Sequence, residues 1–151
     1  MLIYHGKSVY GGIAIGKIRL WQKNTPLVKR IRVDNPQDEN NRFLHARQQT
    51  LKELEALYEK ACDEVGTDNA AIFEIHQMML DDEDYISSIE NIITNQGLNA
   101  EYAVAETGKN FAKIFSAMED SYMQARSGDV KDISERLIRI LSGHGDTTSF
   151  F

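Results

Sequence analysis

Residues 44–65, LHARQQTLKELEALYEKACDEV, place Leu44, Arg47, Leu51, Leu54, Tyr58, Ala61 and Val65 three or four positions apart. That alternation puts them on one stripe of an α-helix, the pattern of a helix packed nearly parallel or antiparallel to a neighbour. Just upstream, Asp34 with Gln37 three residues on has the form of a capping box, so Asp34 is the expected N-cap. Gly66 is the expected stop. A helix this long with a one-sided seam needs other helices to cover it, which makes the fold class mainly α, a four-helix-bundle-like assembly.

The chain downstream supplies those helices. Thr67 or Asp68 is placed to cap a second helix running to about Leu80. The cluster Asp81-Asp82-Glu83-Asp84 breaks or bends it, and Tyr85 to Ile93 resumes the pattern. After a turn at Asn95-Gln96-Gly97, Asn99 caps a long element from Ala100 to about Arg126. Its stripe is Val104, Phe111, Phe115, Met118 and Tyr122, and its length suits pairing with the first helix. Ser127-Gly128 is the expected interruption. Asp129 then begins a last helix with Val130, Ile133, Leu137, Ile140 and Leu141 on one face, ending at Ser142-Gly143.

Upstream the texture differs. Gly6, Gly11, Gly12 and Gly16 punctuate short β-favouring runs, so residues 1–33 read as two or three short strands. The expected organisation is strands in 1–33, a helical subdomain in 34–143 and an irregular tail in 144–151.

Composition narrows the function classes. A net charge of −6 argues against a general nucleic-acid binder, which needs Lys and Arg clusters to hold phosphates, and favours a basic partner. Cys62 is the only cysteine, so neither an internal disulfide nor a Cys-based metal site is available, and a reducing cytoplasm fits. No run approaches the roughly 20 apolar residues of a membrane span, and the start lacks a signal-peptide core.

Three features invite a chemical reading. Gly11-Gly12-Ile13-Ala14-Ile15-Gly16-Lys17 has the Gly and Lys spacing of a phosphate-binding loop, but Ile18 stands where Ser or Thr must hold Mg²⁺. A strand-like run also follows where a helix is required. His5, His45, His76 and His144 have no partners at metal-ligand spacing, so no metal site is expected. His76 by itself reads first as a helix histidine with a structural hydrogen bond. The third feature is sharper. Residues 63–84 carry eight Asp and Glu and no Lys or Arg, interleaved with Ile72, Ile75, Met78 and Met79. A solvated face and a core role for some of the methionines account for part of this. An apolar patch with adaptable Met side chains and an acidic rim is also what a transient docking site for a basic partner requires.

Three blocks taken together resemble the N-terminal region of the Enzyme I family of phosphoenolpyruvate-protein phosphotransferases. They are Gly12-Ile13-Ala14-Ile15-Gly16-Lys17, Ala71-Ile72-Phe73-Glu74-Ile75-His76-Gln77-Met78-Met79-Leu80-Asp81-Asp82 and Asp129-Val130-Lys131-Asp132-Ile133. Their order and separations match as well, and the middle block is the most specific. The resemblance implies a helical subdomain that docks HPr, the histidine-containing phosphocarrier protein. It further implies an α/β subdomain bearing the phosphorylated histidine, and a separate C-terminal barrel that binds Mg²⁺ and phosphoenolpyruvate in a homodimeric full-length enzyme.

The docking role carries over to Asp68, Ala71, Ile72, His76, Met78, Met79, Asp82, Asp84 and Tyr85, with Phe115, Tyr122, Arg126 and Asp129 beside them. Thr67 and Asn69 depart from the charges the family often has at that helix start. The Gly-Gly-x-x-Ser-His type segment of the family's phosphohistidine does not occur, and His144-Gly145-Asp146-Thr147-Thr148-Ser149 has similar letters in another order. The resemblance therefore implies no phosphoryl-accepting role for His144 or His76, and neither catalysis nor a cofactor for this chain alone. Two readings stand beside the docking module: the N-terminal segment of a full phosphotransferase, and a stand-alone regulatory or scaffold bundle.

Overall fold

A computed structural model describes residues 28–143. Most of the expected strand region and the 144–151 tail lie outside the described residues. Within residues 28–33 the only ladder contact is an isolated antiparallel bridge between Arg32 and Leu98. Five helices follow: α1 Pro36–Val65, α2 Thr67–Leu80, α3 Glu83–Gln96, α4 Ala100–Ser116 and α5 Ser121–Leu141. The chain is mainly α, as the periodicity requires.

Several boundaries differ from the sequence reading, each for a local reason. The N-cap of α1 is Asn35 rather than Asp34. Its side-chain oxygen accepts from the backbone N–H of Gln37 and Asp38, and Pro36 occupies the first turn, where its missing N–H costs nothing. Neither Thr67 nor Asp68 caps α2. Gly66, at φ 92°, makes the whole turn between α1 and α2, and the helix starts immediately. The expected long element from Ala100 to Arg126 is two helices, separated at residues 117–120 where Asp120 caps α5 through the Tyr122 N–H. Ser127 and Gly128 interrupt nothing. The Ser127 hydroxyl donates to the Ala112 carbonyl at 3.0 Å, so these small residues bring α5 close to α4.

The expected seam of α1 is also rotated. Its buried residues are Asn40, Phe43, Ala46, Thr50 and Leu54, with Leu44 and Leu51 only flanking the core. Arg47 lies at the edge because its guanidinium has another task. Its Nε donates to the Leu80 carbonyl at 2.6 Å and Nη2 pairs with Asp81, which satisfies the C-terminal end of α2, where no basic residue stands in the last turn. Arg42 does the same for α5 through the Leu141 carbonyl at 2.7 Å. Glu39 Oε2 accepts from the Ala100 N–H at 2.8 Å, capping α4 from a different helix. The expected cap Asn99 instead binds the incoming chain, accepting from the Ile31 N–H and donating to the Lys29 carbonyl. The acidic cluster breaks the helix and Gly97 ends α3 in the left-handed conformation, as the sequence suggests, and Asp82 caps α3 by accepting from the Tyr85 N–H.

The helices pack principally as α4 on α5 and α1 on α2, so α1 takes α2 as its main neighbour rather than the third element. The core gathers Phe43, Leu54, Tyr85, Ile89, Ile93, Val104, Ile133 and Leu137. Gly108 permits the α4–α5 approach, since a Cβ there would fall 2.8 Å from Ser134 Cβ and closer still to its hydroxyl.

Candidate functional site

The acidic and apolar stretch folds into α2 and the start of α3, and the connection at Asp81–Asp82 turns α3 across the end of α2. The residues on this corner face the α4–α5 pair. Between them lies a groove of about 230 Å³ lined by Ile75, Met78 and Met79 of α2, Asp82, Tyr85 of α3, Phe111 and Phe115 of α4, and Tyr122, Arg126 and Val130 of α5. Its floor is aromatic. Tyr85 and Phe111 meet edge to face at 5.8 Å between centroids, and Phe111 leans on Phe115 at 6.3 Å.

The structure thus brings together seven of the positions expected from the sequence: Met78, Met79, Asp82, Tyr85, Phe115, Tyr122 and Arg126. Met78 and Tyr122, exposed at 67% and 62%, both line this groove. Tyr85 instead belongs to the floor. It is 2% exposed and its hydroxyl shares a 2.7 Å hydrogen bond with Ser134. Burial pushes that hydroxyl's pKa well above the ordinary tyrosine value, with the Ser134 bond acting in the opposite direction.

The other six expected positions lie outside the groove lining. Asp68 and Asp84 are exposed in the first turns of α2 and α3, where carboxylates also suit the helix dipole. Ile72 is exposed on α2 and Ala71 is half-buried. His76 is turned inward at 8% exposure, its Nε2 3.5 Å from Asp129 Oδ1. The other Asp129 oxygen is 3.1 Å from Arg126 Nη1, and Arg126 lies over the Tyr122 ring at 4.5 Å. Three lining residues were not named as site positions, namely Ile75, Phe111 and Val130. The signal was present as spacing, since 75, 78 and 79 form one stripe, 111 and 115 another, and 122, 126 and 130 a third.

Chemically, the site offers an apolar trough whose lining carries one carboxylate, Asp82, and one guanidinium, Arg126. Among the described residues no three His, Cys, Asp or Glu side chains come together to hold a metal ion. No described helix is long and apolar enough to cross a membrane.

Comparison with known proteins gives a consistent answer. Residues 5–126 match the family model described as PEP-utilising enzyme, N-terminal. The chain is 34% identical over 139 residues to the phosphoenolpyruvate-protein phosphotransferase of Bacillus sp. (strain S), covering 92% of this chain and 24% of that protein. It is 31% identical over 138 residues to the enzyme of the same name from Bacillus subtilis (strain 168), with 91% and 24% covered. The chain therefore spans about a quarter of the length of these relatives. Among solved structures, an NMR solution structure of an Enzyme I protein superposes with a TM-score of 0.73 at 29% identity, covering 78% of this chain and 48% of that one. A structure described as the N-terminal domain of Enzyme 1 - Nitrogen gives 0.72 over 78% and 49%, and at 24% identity it speaks for the fold alone.

Proposed function

Because this chain belongs to the N-terminal family of phosphoenolpyruvate-utilising enzymes, we propose that it is the docking module of a phosphoenolpyruvate-protein phosphotransferase, and that its partner is an HPr-like phosphocarrier protein. The observation that carries this reading is the groove between α2, α3, α4 and α5, with its exposed Met78 and Tyr122 and the Asp82 carboxylate in its lining. An apolar centre contributes dwell time and a charged rim contributes encounter rate, which suits a carrier that must leave after each transfer. A groove of this size admits one or two side chains.

The proposal extends to the rest of the family enzyme. Residues 34–143 form the docking unit, with its boundary at residue 33. Mg²⁺ and phosphoenolpyruvate act in the remaining three quarters of a homodimeric cytoplasmic enzyme, and this chain alone transfers no phosphate. The family proteins named above carry the full activity in their names, and the chain's share in it is recognition.

The deciding experiment titrates isotope-labelled HPr from the same organism with this chain at low and high salt, following backbone amide shifts. Salt-sensitive shifts around the carrier's reactive histidine are expected. No shifts at near-millimolar concentration from a folded chain would remove the docking reading.

A further inference from the structure

Asp129 does not line the groove, which sets it apart from its helix neighbours Arg126 and Val130. Its side chain is only 13% exposed, so it is poorly placed to meet an incoming protein. What it does meet are two side chains of the site: Arg126 Nη1 at 3.1 Å and His76 Nε2 at 3.5 Å. Arg126 is held from three directions. Nη1 is within ion-pair distance of the Asp129 carboxylate without making a hydrogen bond to it, the Tyr122 carbonyl accepts from Nε at 3.4 Å, and the Tyr122 ring supports the guanidinium plane at 4.5 Å. A long, rotamer-rich side chain is thereby fixed before anything binds, which lowers the ordering cost of using it. Nη2 remains without a partner among the described residues, on the one cationic residue that lines the groove.

We propose, resting on the docking reading, that Asp129 is a positioning residue. It holds Arg126 on the Tyr122 ring so that the groove presents a fixed N–H donor to a carbonyl oxygen of the docked protein. The acceptor is of the carbonyl class because the charge balance is unfavourable to an anion. The Arg126 charge is already matched by Asp129 behind it, and Asp82 lines the same groove, with Glu83 and Asp84 exposed beside it. A phosphoryl group, with a charge of about −1.5 to −2 near neutrality, would enter a net-negative site. A neutral carbonyl meets no such repulsion and takes a charge-assisted hydrogen bond.

The test has a free-protein arm and a docking arm, both on the 151-residue chain. In the free protein, Asp129→Asn keeps the side-chain size and is expected to shift the Arg126 Nε–Hε resonance and speed its exchange with water. In titrations with unmodified HPr, Asp129→Asn is expected to weaken docking about tenfold. The same change in an Arg126→Met background should add nothing, because the two residues act as one unit. Should Asp129→Asn not fold, Tyr122→Leu on the exposed surface is expected to release the Arg126 resonance in the same way. An unchanged Arg126 resonance in the variant, or additive losses in the double variant, would overturn the positioning role. Tighter docking of HPr phosphorylated on its histidine, with the gain abolished by Arg126→Met, would overturn the carbonyl assignment. A wild-type chain that docks with nothing defeats the reading of the groove, while the Arg126 resonance still decides whether Asp129 fixes the guanidinium.

Discussion

The two ends of α1 live in different environments. Up to Leu54 the helix buries a side chain at nearly every turn, among them Phe43, Ala46, Thr50 and Leu54. Beyond Leu54 no residue of α1 is buried, Val65 is exposed, and the helix has chiefly α2 for company. The α2 helix repeats the contrast: only Ala70, His76 and Leu80 are buried, while Ile72 and Met78 face outward. The molecule thus joins a closed bundle to a two-helix projection whose apolar side chains are left available. Stability resides in the first part, while the proposed docking groove takes Ile75, Met78 and Met79 from the second, so substitutions should separate the two properties.

The largest separation is expected from Phe43→Ala, which empties a fully buried site in the closed bundle and should cost about 3–5 kcal/mol in chemical denaturation. A loss below 1 kcal/mol would show that the closed bundle is less cooperative than its packing implies. Next, Gly108→Ala forces a Cβ against Ser134 and should cost about 1–3 kcal/mol from overpacking, even though alanine favours a helix by about 1 kcal/mol. A stabilised variant would mean that α4 and α5 separate at no cost.

A smaller effect is expected from Tyr85→Phe, which strands the buried Ser134 hydroxyl and should cost about 1–2 kcal/mol at neutral pH. The same residue carries a pH signature. Its folded pKa lies above the unfolded value of about 10, so folding favours the protonated hydroxyl. The stability this contributes is complete below that value and is lost as pH rises past it. The wild type should therefore lose stability above about pH 10 more steeply than Tyr85→Phe. Parallel alkaline limbs in denaturation series would remove Tyr85 as the cause. The smallest stability effects belong to the projection. Val65→Ser and Met78→Lys should each change stability by no more than about 0.5 kcal/mol, while Met78→Lys weakens docking to HPr. A Met78→Lys chain that unfolds earlier yet docks unchanged would reverse the assignment of the two regions.

Much of the architecture was legible because helix termini and stripes are local chemistry. The Gly97 stop and the break at the acidic cluster follow from residues within a turn of each other. The register of α1 was less legible, since Arg47 fits an amphipathic stripe by spacing yet serves the carbonyl of Leu80, 33 residues away in sequence. The long element from Ala100 was misread for a related reason. Phe115, Met118 and Tyr122 keep helical spacing across a connection, and small residues at 127 and 128 signal a break when considered alone although they serve close packing. At the site, the acidic and apolar mixture of α2 announced a surface, but it did not distinguish Met78, which faces solvent, from His76, which faces Asp129.

The sequence by itself determined that this chain is a helical protein of the phosphoenolpyruvate-utilising N-terminal family with an acidic, methionine-bearing second helix. Periodicity, glycine stops and charge are properties of neighbouring residues and need no fold to be read. Only the tertiary structure decided which helices pair, which arginines cap distant helix ends, and which side chains of α2, α4 and α5 share one groove. Those outcomes depend on the packing of surfaces far apart in the chain, where one residue's rotation about a helix axis separates a core position from an exposed one.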